Sequence, residues 1–178
     1  KVISPHAYWY VEDGLDISIE ELQRAANTFE ELIHPVVTGY FGDIWNPGID
    51  NDPRLFILHA KIRGSIGYYS PADEYPTEVR PISNEKEIIY INAKTLEVGS
   101  YTYLGILAHE LFHAIQWRSD PGEEAWVNEG LSEVAVFLLG YLPALVSFYQ
   151  EQPQTQLNVW AEPLENSLYH YSSSYLFF

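Results

Sequence analysis

The chain has 178 residues, enough for one domain with a core of its own. A content of 47% hydrophobic and 15% aromatic residues excludes a disordered polymer, and a net charge of −16 opposes binding to nucleic acid or to anionic membranes. Without cysteine, the chain has neither disulfides nor a thiolate ligand or nucleophile.

The first element predicted is a strand over His6–Glu12, rich in aromatic side chains. A helix follows, with two start signals: Ser18 and Glu21 form a capping box, and Ile17 is placed to staple onto Leu22. Leu22, Ala25, Ala26, Phe29, Leu32 and Ile33 keep its apolar stripe until Pro35, which should end or kink it. Gly42–Pro53 is a loop that gathers Asp43, Asp50, Asn51 and Asp52. Such oxygen ligands suit calcium, with Asp50 and Asp52 foremost, but without EF-hand spacing a polar turn capped by its own side chains is the preferred reading. Arg54–Lys61 predicts a strand, Gly64–Tyr69 a short edge strand, Ser70–Glu87 a long polar loop and Ile88–Asn92 a strand. His6, His34 and His59 lack partners at ligand spacing and read as structural.

From Tyr103 to Trp117 nearly every residue is apolar, the mark of a buried helix. Its exceptions include His109, Glu110 and His113, an H-E-x-x-H motif. Histidines one turn apart on a helix point the same way, so one metal ion can take both rings. Glu110, beside them, is placed to accept a proton from a water activated there. A third ligand is needed. Asp120-Pro121-Gly122-Glu123 predicts a second helix start, with Asp120 as N-cap and Glu123 closing a capping box. Glu129 and Glu133 lie one turn apart on that otherwise apolar helix. A two-helix hairpin would set Glu129 opposite the histidines as the third ligand. Glu133 would then lie deeper, positioned to orient a ligand ring. Beyond it, Leu142–Tyr149 reads as helix, Gln150–Gln156 as loop and Asn166–Phe178 as a final apolar helix.

HELFHAIQW followed by WVNEGLSE resembles the gluzincin clan of zinc metallopeptidases, and within it the secreted bacterial neutral metallopeptidases of the hyicolysin type. The resemblance covers residues 104–140. It implies zinc ligands His109, His113 and Glu129, Glu110 as general base, and Glu133 in the acidic position behind the ligands. It also implies an oxyanion donor, Tyr or His, after the second helix; Tyr171 is the first choice and His170 the second. The fifteen residues between His113 and Glu129 are fewer than in thermolysin-like enzymes, and the G-x-M-E-N motif of the clan's aminopeptidases is absent.

The expectation is therefore an α+β, zincin-like metallopeptidase domain over residues 1–178. Residues 1–100 would hold a small mixed sheet, packed on the first helix and the H-E-x-x-H helix; residues 101–178 would be helical and hold the metal site. The expected protein is a secreted zinc endopeptidase acting on peptides or proteins, without a membrane-spanning segment. An aminopeptidase, or a non-catalytic binding module on the same scaffold, are the alternatives. The opening at Lys1 reads as a mature or trimmed start, and the apolar ending Tyr175–Phe178 suggests a chain that continues.

Overall fold

The computed structural model describes residues 1–141, 146–160 and 168–178. It is a mixed α+β structure. Five strands, β1 (Val2–Ile3), β2 (Ala7–Val11), β3 (Leu55–Ala60), β4 (Gly67–Tyr69) and β5 (Ile88–Asn92), form one sheet in the order β1-β2-β3-β5-β4. β2, β3 and β5 run parallel; β1 and β4 close the two edges antiparallel. β1 lies upstream of the expected first strand.

Alternation along the strands selects the core face. Ala7, Trp9, Leu55, Ile57, Ile89 and Ile91 are buried in one cluster. Helix α1 (Ile19–Thr28) starts with the expected capping box, in which Ser18 Oγ accepts from the Glu21 N–H and Glu21 accepts from the Ser18 N–H. Ile17 is partly buried against the same cluster that holds Leu22. Pro35 does not stop the helix. A π-helical turn, Phe29–Ile33, widens the backbone just ahead of it, with the His34 N–H reaching back to the Phe29 carbonyl. The chain continues as α2 (His34–Phe41). Proline can sit early in a renewed helix because it lacks only a hydrogen bond that the wider turn has already rearranged.

α3 (Tyr101–Ser119) packs against β4 and β5, and Tyr103, Leu107, Ala108, Leu111, Ala114 and Ile115 enter the core. The second helix, α4 (Ala125–Leu138), starts later than the Asp120 signal suggests. Asp120 instead caps the end of α3 and accepts the Gly122 N–H at 3.0 Å, which makes 120–123 a turn. α5 (Val146–Glu151) and α6 (Leu168–Phe177) complete the described helices, α6 against α4. The expected helix over Leu142–Tyr149 falls partly outside the described residues, as does the start of the expected 166–178 helix. Gly130 permits a close approach of α4 and α6: a Cβ there would lie 2.9 Å from the Ser174 carbonyl oxygen and from the Phe178 ring. Among the described residues no helix is long and apolar enough to cross a membrane.

The segment between β4 and β5 departs most from expectation. Residues 76–82 are exposed, as a polar loop should be, but the ends of the segment are not: it forms a 3-10 turn (Pro71–Glu74) and buries Asp73, Glu74 and Glu87. Asp73 accepts from Tyr90 Oη at 2.7 Å and from the Asn84 N–H at 2.7 Å. These bonds fold the segment back onto β5.

Candidate metal centre

α3 and α4 form the centre together. His109 and His113, one turn apart, project their rings side by side with centroids 4.7 Å apart. Glu129 reaches them from α4. Its Oε2 lies 3.2 Å from His109 Nε2 and 3.5 Å from His113 Nε2. One ligand atom from each of the three residues lies within 4.8 Å of the others, so this group could hold a metal ion. Among the described residues it is the only group of three or more His, Asp or Glu side chains so placed.

Both rings are turned the same way by partners behind them. His109 Nδ1 is 3.0 Å from Glu133 Oε1, the arrangement expected from the spacing. His113 Nδ1 is 2.9 Å from Asn128 Oδ1, a partner that sequence reasoning missed. With each Nδ1 turned to its partner, each Nε2 faces the Glu129 carboxylate. Ser132 was missed as well: its hydroxyl donates to the Glu129 carbonyl at 2.6 Å and lies 3.2 Å from His109 Nε2. Residues 128, 129, 132 and 133 are a polar stripe on an otherwise apolar helix, and that stripe was the available signal.

The electrostatics favour a cation. Burial opposes charge on His109, yet hydrogen bonds to Glu129 and Glu133 hold its pKa well above the usual histidine range. Burial would raise the Glu129 carboxyl, but the two histidines prevail and hold it far below the ordinary value. The Glu129 carboxylate is thus held ionised between the two rings.

Glu110 faces the neighbouring cavity, of about 570 Å³, whose wall includes Gly67, Ile106, His109, Glu110, Glu133 and Tyr171. Burial pushes its carboxyl upward, opposed by His109 and His113 and by a hydrogen bond from the Tyr69 backbone. No family model and no curated protein matches this chain. The site is therefore read from its own geometry. Gly67 lets β4 come close: a Cβ there would lie 2.7 Å from Ile106 and 3.5 Å from Glu110 Oε1.

The two oxyanion candidates separate. Tyr171 is beside the centre, its ring centroid 6.3 Å from that of His109 and its hydroxyl bonded to Glu129. Burial and the surrounding carboxylates raise the phenol above its usual range, so it stays protonated and able to donate. His170, one residue earlier on α6, shares the Trp160 ring with Tyr171, each centroid 5.2 Å away, but Tyr171 is the one that also bonds Glu129. Adjacent helical residues point about 100° apart, which explains the divergence.

The remaining candidates do not join the centre. Asp52 accepts from Tyr8 Oη at 2.8 Å, and Asp50 pairs with Lys86 Nζ at 2.8 Å and accepts the Asp52 N–H. Asp43 accepts the Ile44 N–H. These acids serve the loop as turn and ion-pair groups, the polar-turn reading, with Lys86 as the cation beside Asp50. His6 bonds Glu30 at 2.6 Å and stacks on His34 with centroids 3.9 Å apart. His59 is buried between the Tyr10 carbonyl, 2.9 Å from Nδ1, and the Tyr103 hydroxyl, 2.8 Å from Nε2.

Proposed function

We propose that the chain is a zinc-dependent endopeptidase that acts outside the cell, with His109, His113 and Glu129 as metal ligands. The observation that carries this reading is the distance from one Glu129 carboxylate oxygen to each of the two ring nitrogens. A tetrahedral zinc with bonds of about 2.0–2.1 Å separates its ligand atoms by about 3.3–3.4 Å. Glu129 Oε2 lies 3.2 and 3.5 Å from the two Nε2 atoms. Two nitrogens and one carboxylate also match the ligand chemistry of catalytic zinc sites.

When bound, zinc polarises the scissile carbonyl and acidifies a water. The chain's own groups do the rest. Glu110, at the cavity wall, takes the proton from the attacking water and passes it to the leaving amine. Tyr171 donates its phenolic hydrogen to the oxygen that becomes negative in the tetrahedral intermediate. Glu133 and Asn128 keep the ligand rings in one orientation. β4 ends the sheet beside this cavity, so an extended peptide laid along that edge would pass Glu110.

The test is digestion of a peptide library by the metal-loaded chain, with and without a chelator, alongside Glu110→Gln and metal analysis of His113→Ala. Internal cuts that vanish with the chelator, and fall about 10²-fold or more in Glu110→Gln, are expected. His113→Ala should lose most of the metal. Stepwise release from peptide N-termini would replace the endopeptidase reading with an aminopeptidase. No cleavage by a chain holding its full metal would leave a binding module and overturn the proposal.

A further inference from the structure

The folded-back segment between β4 and β5 holds two acids that the metal centre does not use. Glu74 is 4% exposed and Glu87 is 1% exposed. Each has one oxygen satisfied: Glu74 Oε1 accepts from Tyr69 Oη, and Glu87 Oε1 accepts the Ile49 N–H at 2.9 Å. Each has one buried oxygen, Oε2, that receives no hydrogen from another group. The two carboxyls are within hydrogen-bonding reach of each other. Packing around them is tight. Gly48, at φ +76°, faces Glu87, and a Cβ there would lie 2.3 Å from the carboxyl atoms.

Two acceptors facing each other without a donor are unfavourable, and two buried like charges at that distance more so. One hydrogen between them removes both costs. We infer that Glu74 and Glu87 form a proton-binding site: Glu74 carries the hydrogen, donates it to the Glu87 carboxylate, and so locks the 70–87 segment and β4 beside the metal helix. Every polar oxygen then has a partner. Glu74 donates from one oxygen and accepts from Tyr69 at the other, while Glu87 accepts from Ile49 and Glu74. The lock bears on the site through Tyr69, whose ring is held by Glu74 and whose backbone bonds Glu110.

The charged and titratable groups around Glu74 are few. Glu87 and Asp73 belong to the same segment, and Tyr69 comes from β4. Lys86, next to Glu87, is paired with Asp50 of the 42–53 loop. Burial, followed by Glu87, raises the Glu74 carboxyl from an ordinary 4.5 to about 8, against the opposing bond from Tyr69. A raised acid pKa in the folded state sets the sign. The contribution is complete below 4.5 and is lost as the pH rises through about 8.

The inference is independent of metal and turnover, and its test is a comparison of the chain with Glu74→Gln. The amide reproduces the hydrogen bonds of the protonated acid but cannot titrate. Between pH 4.5 and about 8 the folded chain holds one proton more than the unfolded chain at this site. Its unfolding constant should therefore rise, relative to the variant, about tenfold per pH unit. Infrared difference spectra at neutral pH should show a protonated-carboxyl band in the chain that Glu74→Gln lacks. If Glu74→Gln does not fold, Glu87→Gln places an amide donor in the same gap, and the same relative slope and band loss are expected. Parallel pH profiles, or an unchanged infrared band, would overturn the inference. So would stabilisation by calcium at pH 8.5 in the chain but not in the Gln variant, which would make the pair a cation site.

Discussion

Removing the acceptor behind His109 should weaken metal binding more than removing the one behind His113. Glu133→Ala strips a carboxylate from His109 Nδ1, 3.0 Å away, where the two side chains are only 10% and 5% exposed. A buried donor left without its acceptor costs roughly 1–3 kcal/mol, or about 5–150-fold in Kd. Loss of the negative charge also makes the ring a poorer ligand, so a loss of about 10–100-fold is expected. Asn128→Ala removes a neutral acceptor from His113, whose ring is in a part-buried setting that water can reach. A neutral hydrogen bond contributes about 0.5–1.5 kcal/mol net, which corresponds to roughly 2–10-fold. Glu133→Gln, which keeps an acceptor but not the charge, should fall between wild type and Glu133→Ala. The assay is competition for zinc against a chromophoric chelator, with melting temperature as the check on folding. Unaltered affinity in Glu133→Ala, or a larger loss in Asn128→Ala, would refute the reasoning from burial and charge.

Three further outcomes are expected. Tyr171→Phe should reduce peptide hydrolysis about 10²–10³-fold with metal content unchanged, while His170→Ala leaves hydrolysis near wild type; the reverse pattern in the same kinetic assay would reassign the donor. His59 is held neutral by burial, its pKa lowered from 6.5 to about 4, so the unfolded chain takes up a proton first as the pH falls. Stability contributed by the neutral ring, present above 6.5, should thus fall by about 3 kcal/mol as the pH drops through 4, and urea unfolding of His59→Gln should show a flatter acid slope. Gly130→Ala must push α4 and α6 apart by a few tenths of an ångström, because its Cβ would meet the Ser174 carbonyl at 2.9 Å; a loss of about 1–3 kcal/mol should appear as a lower melting temperature.

Local patterns made much of this arrangement readable. The strand alternation, the Ser18–Glu21 box and the one-turn spacings of His109 with His113 and of Glu129 with Glu133 are short-range signals, and each depends on periodicity alone. What was not readable depends on partners distant in sequence. Asp120 offers the same side chain to a helix start or to a turn, and the backbone N–H of Gly122 decides between them. The 70–87 segment has the composition of a solvated loop. Asp73, Glu74 and Glu87 are buried because Tyr69, Tyr90 and Ile49, supplied by other parts of the fold, meet them there. Pro35 marks an end or a kink; the π-helical turn ahead of it is not readable because such a turn has no simple composition. Asn128 was overlooked because an amide beside a ligand glutamate looks like any helix-surface residue until its ring partner is in place.

The bond between His59 and Tyr103 has a consequence for how the chain sets the positions of His109 and His113. α3 is apolar on almost every side, so greasy packing alone would let it settle at several rotations about its own axis. Each one-residue slip along the helix is a turn of about 100° and a slide of about 1.5 Å. Such a slip would swing His109 and His113 away from α4. Tyr103 lies on the same helix, six residues before His109, and its hydroxyl meets a ring nitrogen fixed in the middle of the sheet. Only one setting of the helix satisfies that buried nitrogen. A single polar contact, outside the His109, His113 and Glu129 cluster, acts as the key that indexes the whole of α3 to the sheet.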